Sequence, residues 1–211
     1  MIELESEKRL NDIKHSIETA TGESYNDLTE AVQYLTEQFK TILEMKSVTF
    51  GVNNSKTKKV VLNCKGLKNL GNAFYNCGSL TEVHLTNTQG VFTWSQTFYD
   101  NRIHTIETLD LSNADKDIIG NSNWKWIQTP YLENLKIVPE TIHNSITFVW
   151  CTKLTAESTQ SIFDGLAIVT TAQTLTLPPN LKILQSQVDD ANAKGWTVAG
   201  GTIVSEVEYY G

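Results

Sequence analysis

Short strand-like triplets recur along this chain at nearly even intervals, and that spacing limits the possible folds more than any other feature. Val60-Val61-Leu62, Val83-His84-Leu85, Leu109-Asp110-Leu111 and Leu135-Lys136-Ile137 each read as a short alternating run, the pattern of a strand with one face buried. Leu62 to Leu85 is 23 residues; Leu85 to Leu111 and Leu111 to Ile137 are 26 each. A further triplet, Leu175-Thr176-Leu177, follows after a step of 40. A second motif keeps time with the first. NAFYNCGSLTEVHL at 72–85, TFYDNRIHTIETLDL at 97–111 and TFVWCTKL at 147–154 each carry a Phe, followed three residues later by Cys77, Asn101 or Cys151. Periods in the twenties with one short strand per unit predict stacked coils, because one coil cannot bury its apolar edge alone. The expected fold class is an α/β repeat: an irregular leucine-rich-repeat solenoid. It carries an N-terminal helical, coiled-coil-like segment and a C-terminal helix-plus-hairpin cap. Phe74, Phe98, Trp124 or Trp126, and Phe148 are expected to line the core opposite the strands.

Residues 1–45 have a different texture. Leu10, Ile13 and Ile17, then Leu28, Val32, Leu35, Phe39 and Ile42, recur at steps of three and four, an a/d stripe on two helices. Gly22 separates them, and Asn26 or Ser24 is placed to cap the second. Two readings fit: a helical hairpin packed on the following domain, or a short coiled coil joining copies of the chain. So narrow a stripe favours the oligomer, since a core-facing helix needs a broader apolar face. Residues 46–180 form the expected solenoid, with a helical insertion at about 155–168. There Thr155 is the cap, Glu157 lies in the first turn, and Ile162, Phe163 and Leu166 point inward. Residues 181–211 are the expected cap. Its helix runs from Gln185 to Lys194 with Val188 and Ala191 inward, and Gly195 stops it. Trp196-Thr197-Val198 and Thr202-Ile203-Val204 then form a hairpin across Ala199-Gly200-Gly201.

Composition excludes several functions. The net charge is -7 and the pI about 5.1, which argues against nucleic acid, whose phosphates need clustered Lys and Arg. The one basic cluster, Lys56, Lys58 and Lys59, reads as a solvated turn. No run approaches the roughly 20 apolar residues of a spanning helix, so no membrane insertion is expected. The start, MIELESEKRL, is acidic and charged, unlike a signal peptide. The three cysteines, Cys64, Cys77 and Cys151, offer neither a disulfide framework nor zinc spacing, and no metal or cofactor is expected. His15, His84, His104 and His143 lie beside no nucleophile motif. Asp110, Asp115 and Asp117 cluster, but nothing places two of them across a cleft as a glycosidase requires. The chain is not expected to be an enzyme.

Binding is the stronger expectation. Aromatic and amide side chains on a regular sheet face stack on sugars and hydrogen-bond their hydroxyls. The candidates are His84, Asp110, Asn121, Asn123, Trp124 and Trp126, with Trp94 and Trp150 beside them. The competing reading places the tryptophans in the core, where their rings fill most volume.

AFYNCGSLTEVHL resembles the BspA-like (treponemal type) leucine-rich repeat, whose units carry an AF..C.SL core before a short strand. Residues 154–177, LTAESTQSIFDGLAIVTTAQTLTL, and 181–201, LKILQSQVDDANAKGWTVAGG, resemble the closing module of repeat proteins from tailed bacteriophages and prophages of Gram-positive bacteria. IKHSIETATGESYNDLTEAVQYL is similar to the helical start of phage tail-associated proteins. The unit around NSNWKWIQTPYLENLKIV departs from the pattern, lacking the AF..C.SL core. The resemblance implies a non-enzymatic virion protein of the tail or baseplate, made in the host bacterial cytoplasm. It also implies a homotrimer whose repeat face meets other virion proteins or a host cell-surface glycan or protein. It brings no catalytic residues. The alternatives are a bacterial cell-surface adhesin or protein-interaction module and, more remotely, a glycan-active enzyme.

Overall fold

The structure is a computed structural model, and it describes residues 11–19, 24, 26–27, 29–33, 56–115 and 126–210. The chain divides into two compact units, Met1–Lys46 and Ser47–Gly211.

In the first unit residues 11–19 and 29–33 are helical. Lys14 and Glu18 pair along the first helix at 3.4 Å, and Ser16 and Thr19 return their hydroxyls to the carbonyls of Asp12 and His15. The second helix is capped by Asp27 rather than by Asn26 or Ser24. The Asp27 carboxylate accepts the Glu30 N–H at 2.9 Å, and the Glu30 carboxylate accepts the Asn26 N–H at 2.6 Å. The first bond is an Asp cap; the second returns to the residue before Asp27, so the pair falls short of a reciprocal capping box. Of the stripe residues, Ile17 is buried while Ile13 and Val32 are about half exposed. Leu10, Leu28, Leu35, Phe39 and Ile42 lie outside the described residues.

The second unit is built from short parallel strands: β1 (Lys59–Asn63), β2 (Glu82–Thr86), β3 (Phe98–Tyr99), β4 (Thr105–Leu109), β5 (Ile127–Gln128) and β6 (Asn134–Ile137). They continue as β7 (Ile146–Thr147), β8 (Gln173–Thr176), β9 (Lys182–Ile183), β10 (Trp196–Ala199) and β11 (Thr202–Ile203). Its helices are α1 (Ala156–Gly165), α2 (Gln185–Ala193) and α3 (Glu206–Tyr210). The strands form four separate sheets, ordered β1-β2-β4-β6, β10-β8-β7, β11-β9 and β3-β5. This is a mixed α/β fold with several short parallel sheets, and it corrects the expected leucine-rich-repeat solenoid, in which one ladder would run the length of the chain.

The ladder stops at β6 for a chemical reason. Helix α1 lies along the β6 edge where another strand would pair. Ser158 Oγ accepts the Leu135 N–H at 2.8 Å and donates to the Glu133 carbonyl at 2.8 Å. Ser161 Oγ accepts the Ile137 N–H at 2.9 Å. Two hydroxyls one helical turn apart thus satisfy a strand edge that would otherwise be left unpaired. Thr155 caps the helix by accepting the Ser158 N–H, and Ile162 and Phe163 are buried. Close seating needs Gly165, because a Cβ there would lie 2.9 Å from Ile137 Cγ2.

The closing hairpin does not form either. β10 pairs in parallel with β8 and β11 in parallel with β9, so both strands run along earlier ones and not against each other. Gly200 and Gly201 have φ of +84° and +75°, and a Cβ on Gly200 would fall 2.2 Å from the Leu177 carbonyl oxygen. The two glycines press the chain against its predecessor instead of turning a hairpin. Helix α3, which the sequence reading did not anticipate, follows. Ser205 N–H donates to the Glu208 carboxylate at 3.1 Å, and the Glu208 N–H to Ser205 Oγ at 3.4 Å.

Inside, an aromatic column fills the core. Phe74 stacks on Phe98 at 5.5 Å, Trp126 meets Phe98 edge-on at 6.2 Å, and Phe148 meets Trp126 at 5.5 Å. Each ring is fully buried, an arrangement worth about 0.5–1.5 kcal/mol per pair beyond burial itself.

Candidate binding face

Alternation along the strands sorts the four-stranded sheet into two faces. Val60, Leu62, Val83, Leu85, Ile106, Leu135 and Ile137 turn inward and are buried. The other face is polar and, because the strands are parallel and in register, arranged in rows. One row runs Lys59, Glu82, Thr105, Asn134 across all four strands; the next runs Val61, His84, Glu107 across three. Side chains opposite one another in such rows lie close enough to interact.

They do so here through charge. Lys59 Nζ lies 2.9 Å from Glu82 Oε1, His84 Nε2 contacts the same Glu82 oxygen, and His84 Nδ1 lies 3.0 Å from Glu107 Oε2. Carboxylates only accept, so both contacts are made in full when both ring nitrogens carry hydrogen. The hydrogen bonds from Lys59 first, then from His84, hold the Glu82 carboxyl below the usual carboxylate value. The two ring nitrogens thus face different carboxylates, Nε2 that of Glu82 and Nδ1 that of Glu107. Among the described residues no group of His, Cys, Asp and Glu is placed to hold a metal.

The face changes shape at its β6 end. A bulge interrupts the β4–β6 pairing between Ile106 and Leu109, where Thr108 sits at φ +66°, a left-handed conformation rare for a β-branched residue. Glu107 and Thr108 are consequently both exposed, one after the other. Beside them the first turns of α1 rise from the sheet. A shallow groove of about 310 Å³ lies there, lined by Glu107 of β4, Asn134, Leu135 and Lys136 of β6, and Glu157, Ser158 and Ser161 of α1.

The sequence candidates divide. His84 stands on the outward face, half-buried between its carboxylates. Asp110 does not: β4 ends at Leu109, and the Asp110 carboxylate turns back to accept the Ser112 N–H at 3.0 Å and hydroxyl at 2.6 Å. Its role is to close the turn. Trp126 is fully buried and donates its indole N–H to the Thr147 carbonyl at 2.7 Å, so it belongs to the core and not to a binding surface. Trp94 is likewise buried, whereas Trp150 is part exposed. Asn121, Asn123 and Trp124 lie outside the described residues. Sequence reasoning missed Glu82, Glu107, Asn134, Lys136 and Glu157. The signal available for the first four was their place as outward neighbours of the apolar strand residues.

The cysteines are core groups. Burial pushes the thiols of Cys64 and Cys151 up to about 12, and raises that of Cys77 as well, so the nucleophilic thiolate is scarce at neutral pH. All three are free.

Comparison with family models, with curated proteins and with solved structures finds no match. No helix among the described residues is long and apolar enough to cross a membrane.

Proposed function

We propose that this chain is a non-enzymatic structural and binding protein of a bacteriophage virion, carried on the tail or baseplate. It contacts another virion protein or the host cell surface through the outward face of its four-stranded sheet. The observation that carries the contact role is the charged ladder on that face. Lys59, Glu82, His84 and Glu107 are joined across three strands at hydrogen-bond distance, giving a polar surface held in fixed register by the backbone. Preset geometry of this kind lowers the entropy cost of association. The virion assignment rests on the sequence resemblance of residues 154–177 and 181–201 to the closing module of phage repeat proteins, and of the helical start to tail-associated proteins.

The test is made on particles purified from the producing bacterium by density gradient. The chain is expected to co-sediment with tails at fixed stoichiometry, and the paired change His84→Ala with Glu107→Ala to reduce particle attachment or the chain's incorporation. A chain absent from every particle fraction, yet abundant in the lysate, would sink the assignment.

A further inference from the structure

We infer that the groove between β6 and the first turns of α1 binds one or two neutral sugar units of a glycan. The inference rests on the sheet face being the protein's contact surface, and it names what one end of that surface recognises. Its volume, about 310 Å³, falls at the lower end of the ~300–1,000 Å³ typical of small-molecule sites.

The side chains select by elimination. The groove carries one ammonium, Lys136, and two carboxylates, Glu107 and Glu157, so a simple cation and a simple anion each meet a like charge beside an opposite one. A peptide seeking to add a strand finds the β6 edge already taken by the Ser158 and Ser161 hydroxyls, which removes the backbone hydrogen bonds such recognition depends on. A neutral polyhydroxylated ligand fits all the groups together. Its hydroxyl hydrogens go to the two carboxylates, and its oxygens accept from the Lys136 ammonium and the Asn134 amide. Glu107 is already fixed by His84 at 3.0 Å, and the bulge at Thr108 puts it at the groove's rim, so little side-chain freedom remains to be lost on binding.

The experiment is a titration of the isotope-labelled full chain, read through backbone amide signals. The neutral probes are N-acetylglucosamine, glucose, galactose and rhamnose; glycerol phosphate and putrescine serve as anionic and cationic counter-probes. At least one neutral sugar is expected to shift the signals of Asn134, Lys136 and Glu157 saturably. Glu157→Gln, an exposed change that leaves the fold intact, is expected to weaken that binding about tenfold or more. Glu206→Gln, on α3, should leave it unchanged. The inference is overturned if no neutral sugar moves those signals at tens of millimolar, if a charged probe moves them instead, or if Glu157→Gln binds like the parent. Sugar binding in a chain that never joins particles would uphold the groove and sink the virion assignment. Particle incorporation without sugar binding would do the reverse.

Discussion

At the scale of single residues, the structure depends on polar side chains placed where backbone or charge would otherwise go unanswered. Ser158 is the sharpest case. It is buried, and its hydroxyl joins the Leu135 N–H to the Glu133 carbonyl. Ser158→Ala strands a buried N–H, so it is expected to destabilise the protein by about 1–3 kcal/mol. Chemical denaturation checks this through a lowered midpoint at unchanged slope, since the surface exposed on unfolding stays the same. Glu82 gives a prediction with a pH sign. Its carboxyl, held below the ordinary value of 4.5 by Lys59 and His84, favours the folded state in its ionised form. That contribution is fully present above the ordinary value and is lost as pH falls through the lower, folded one. Thermal unfolding of the parent and of Glu82→Gln should therefore differ near neutrality and converge only once the pH has fallen below the lowered, folded-state value, with a smaller gap in high salt because the groups face solvent. A gap that persists or widens in acid would exclude this origin.

At the scale of elements, two glycines with the same φ separate strain from collision. Gly66 and Gly200 both have φ +84°, but a Cβ on Gly66 meets nothing within 4 Å while one on Gly200 meets the Leu177 carbonyl oxygen at 2.2 Å. Gly66→Ala is expected to cost only the ~1–2 kcal/mol of a left-handed residue. Gly200→Ala should cost clearly more, because β10 must also move away from β8, and comparing the two melting temperatures isolates the difference. The same place shows where the sequence was misleading. A Gly-Gly pair between two short apolar runs is a hairpin signal, yet here it marks close approach of one backbone to another, and period and composition are identical for the two outcomes. The strand triplets at 60–62, 83–85 and 135–137, the Thr155 cap and the buried Phe74, Phe98 and Phe148 were legible, because each is set by local alternation or spacing. The end of the ladder was not. It turns on Ser158 and Ser161 replacing a strand's hydrogen bonds, and serine at two helix positions carries no mark of that task until β6 is seen beside it. Helix α3 was legible and overlooked: Ser205 and Glu208 stand in the S-x-x-E spacing of a capping box. On the candidate site, His84 was found from its place between Val83 and Leu85. Trp126 reads both as a core ring and as a surface candidate, because alternation says that Trp124 and Trp126 share a side but not which side, and the structure buries it.

At the scale of the whole molecule, the apolar stripe read in the sequence from Leu10 to Ile42 bears on the number of chains. Apolar residues at three-and-four spacing on a helix are stable in water only when covered. Ile13 and Val32 stand about half exposed within a single chain, so a single chain leaves part of the stripe open to solvent. A trimer joined along that stripe, the assembly proposed for this chain, would cover those positions and link three copies of the charged ladder in one particle. Joined sites also bind a repetitive surface with an avidity beyond that of one copy, because each binding event after the first is effectively intramolecular. Weak single-site recognition of a neutral sugar, the kind a shallow groove supports, becomes useful only when multiplied in this way. Light scattering on the full chain is expected to give three times 23.6 kDa, and a chain beginning at Met45 is expected to be a folded monomer that still binds through its sheet face. A trimer that survives the truncation would place the assembly contact within the second unit. Monomers in both cases would mean that the stripe serves a different partner, and attachment would then have to rest on single-site affinity alone.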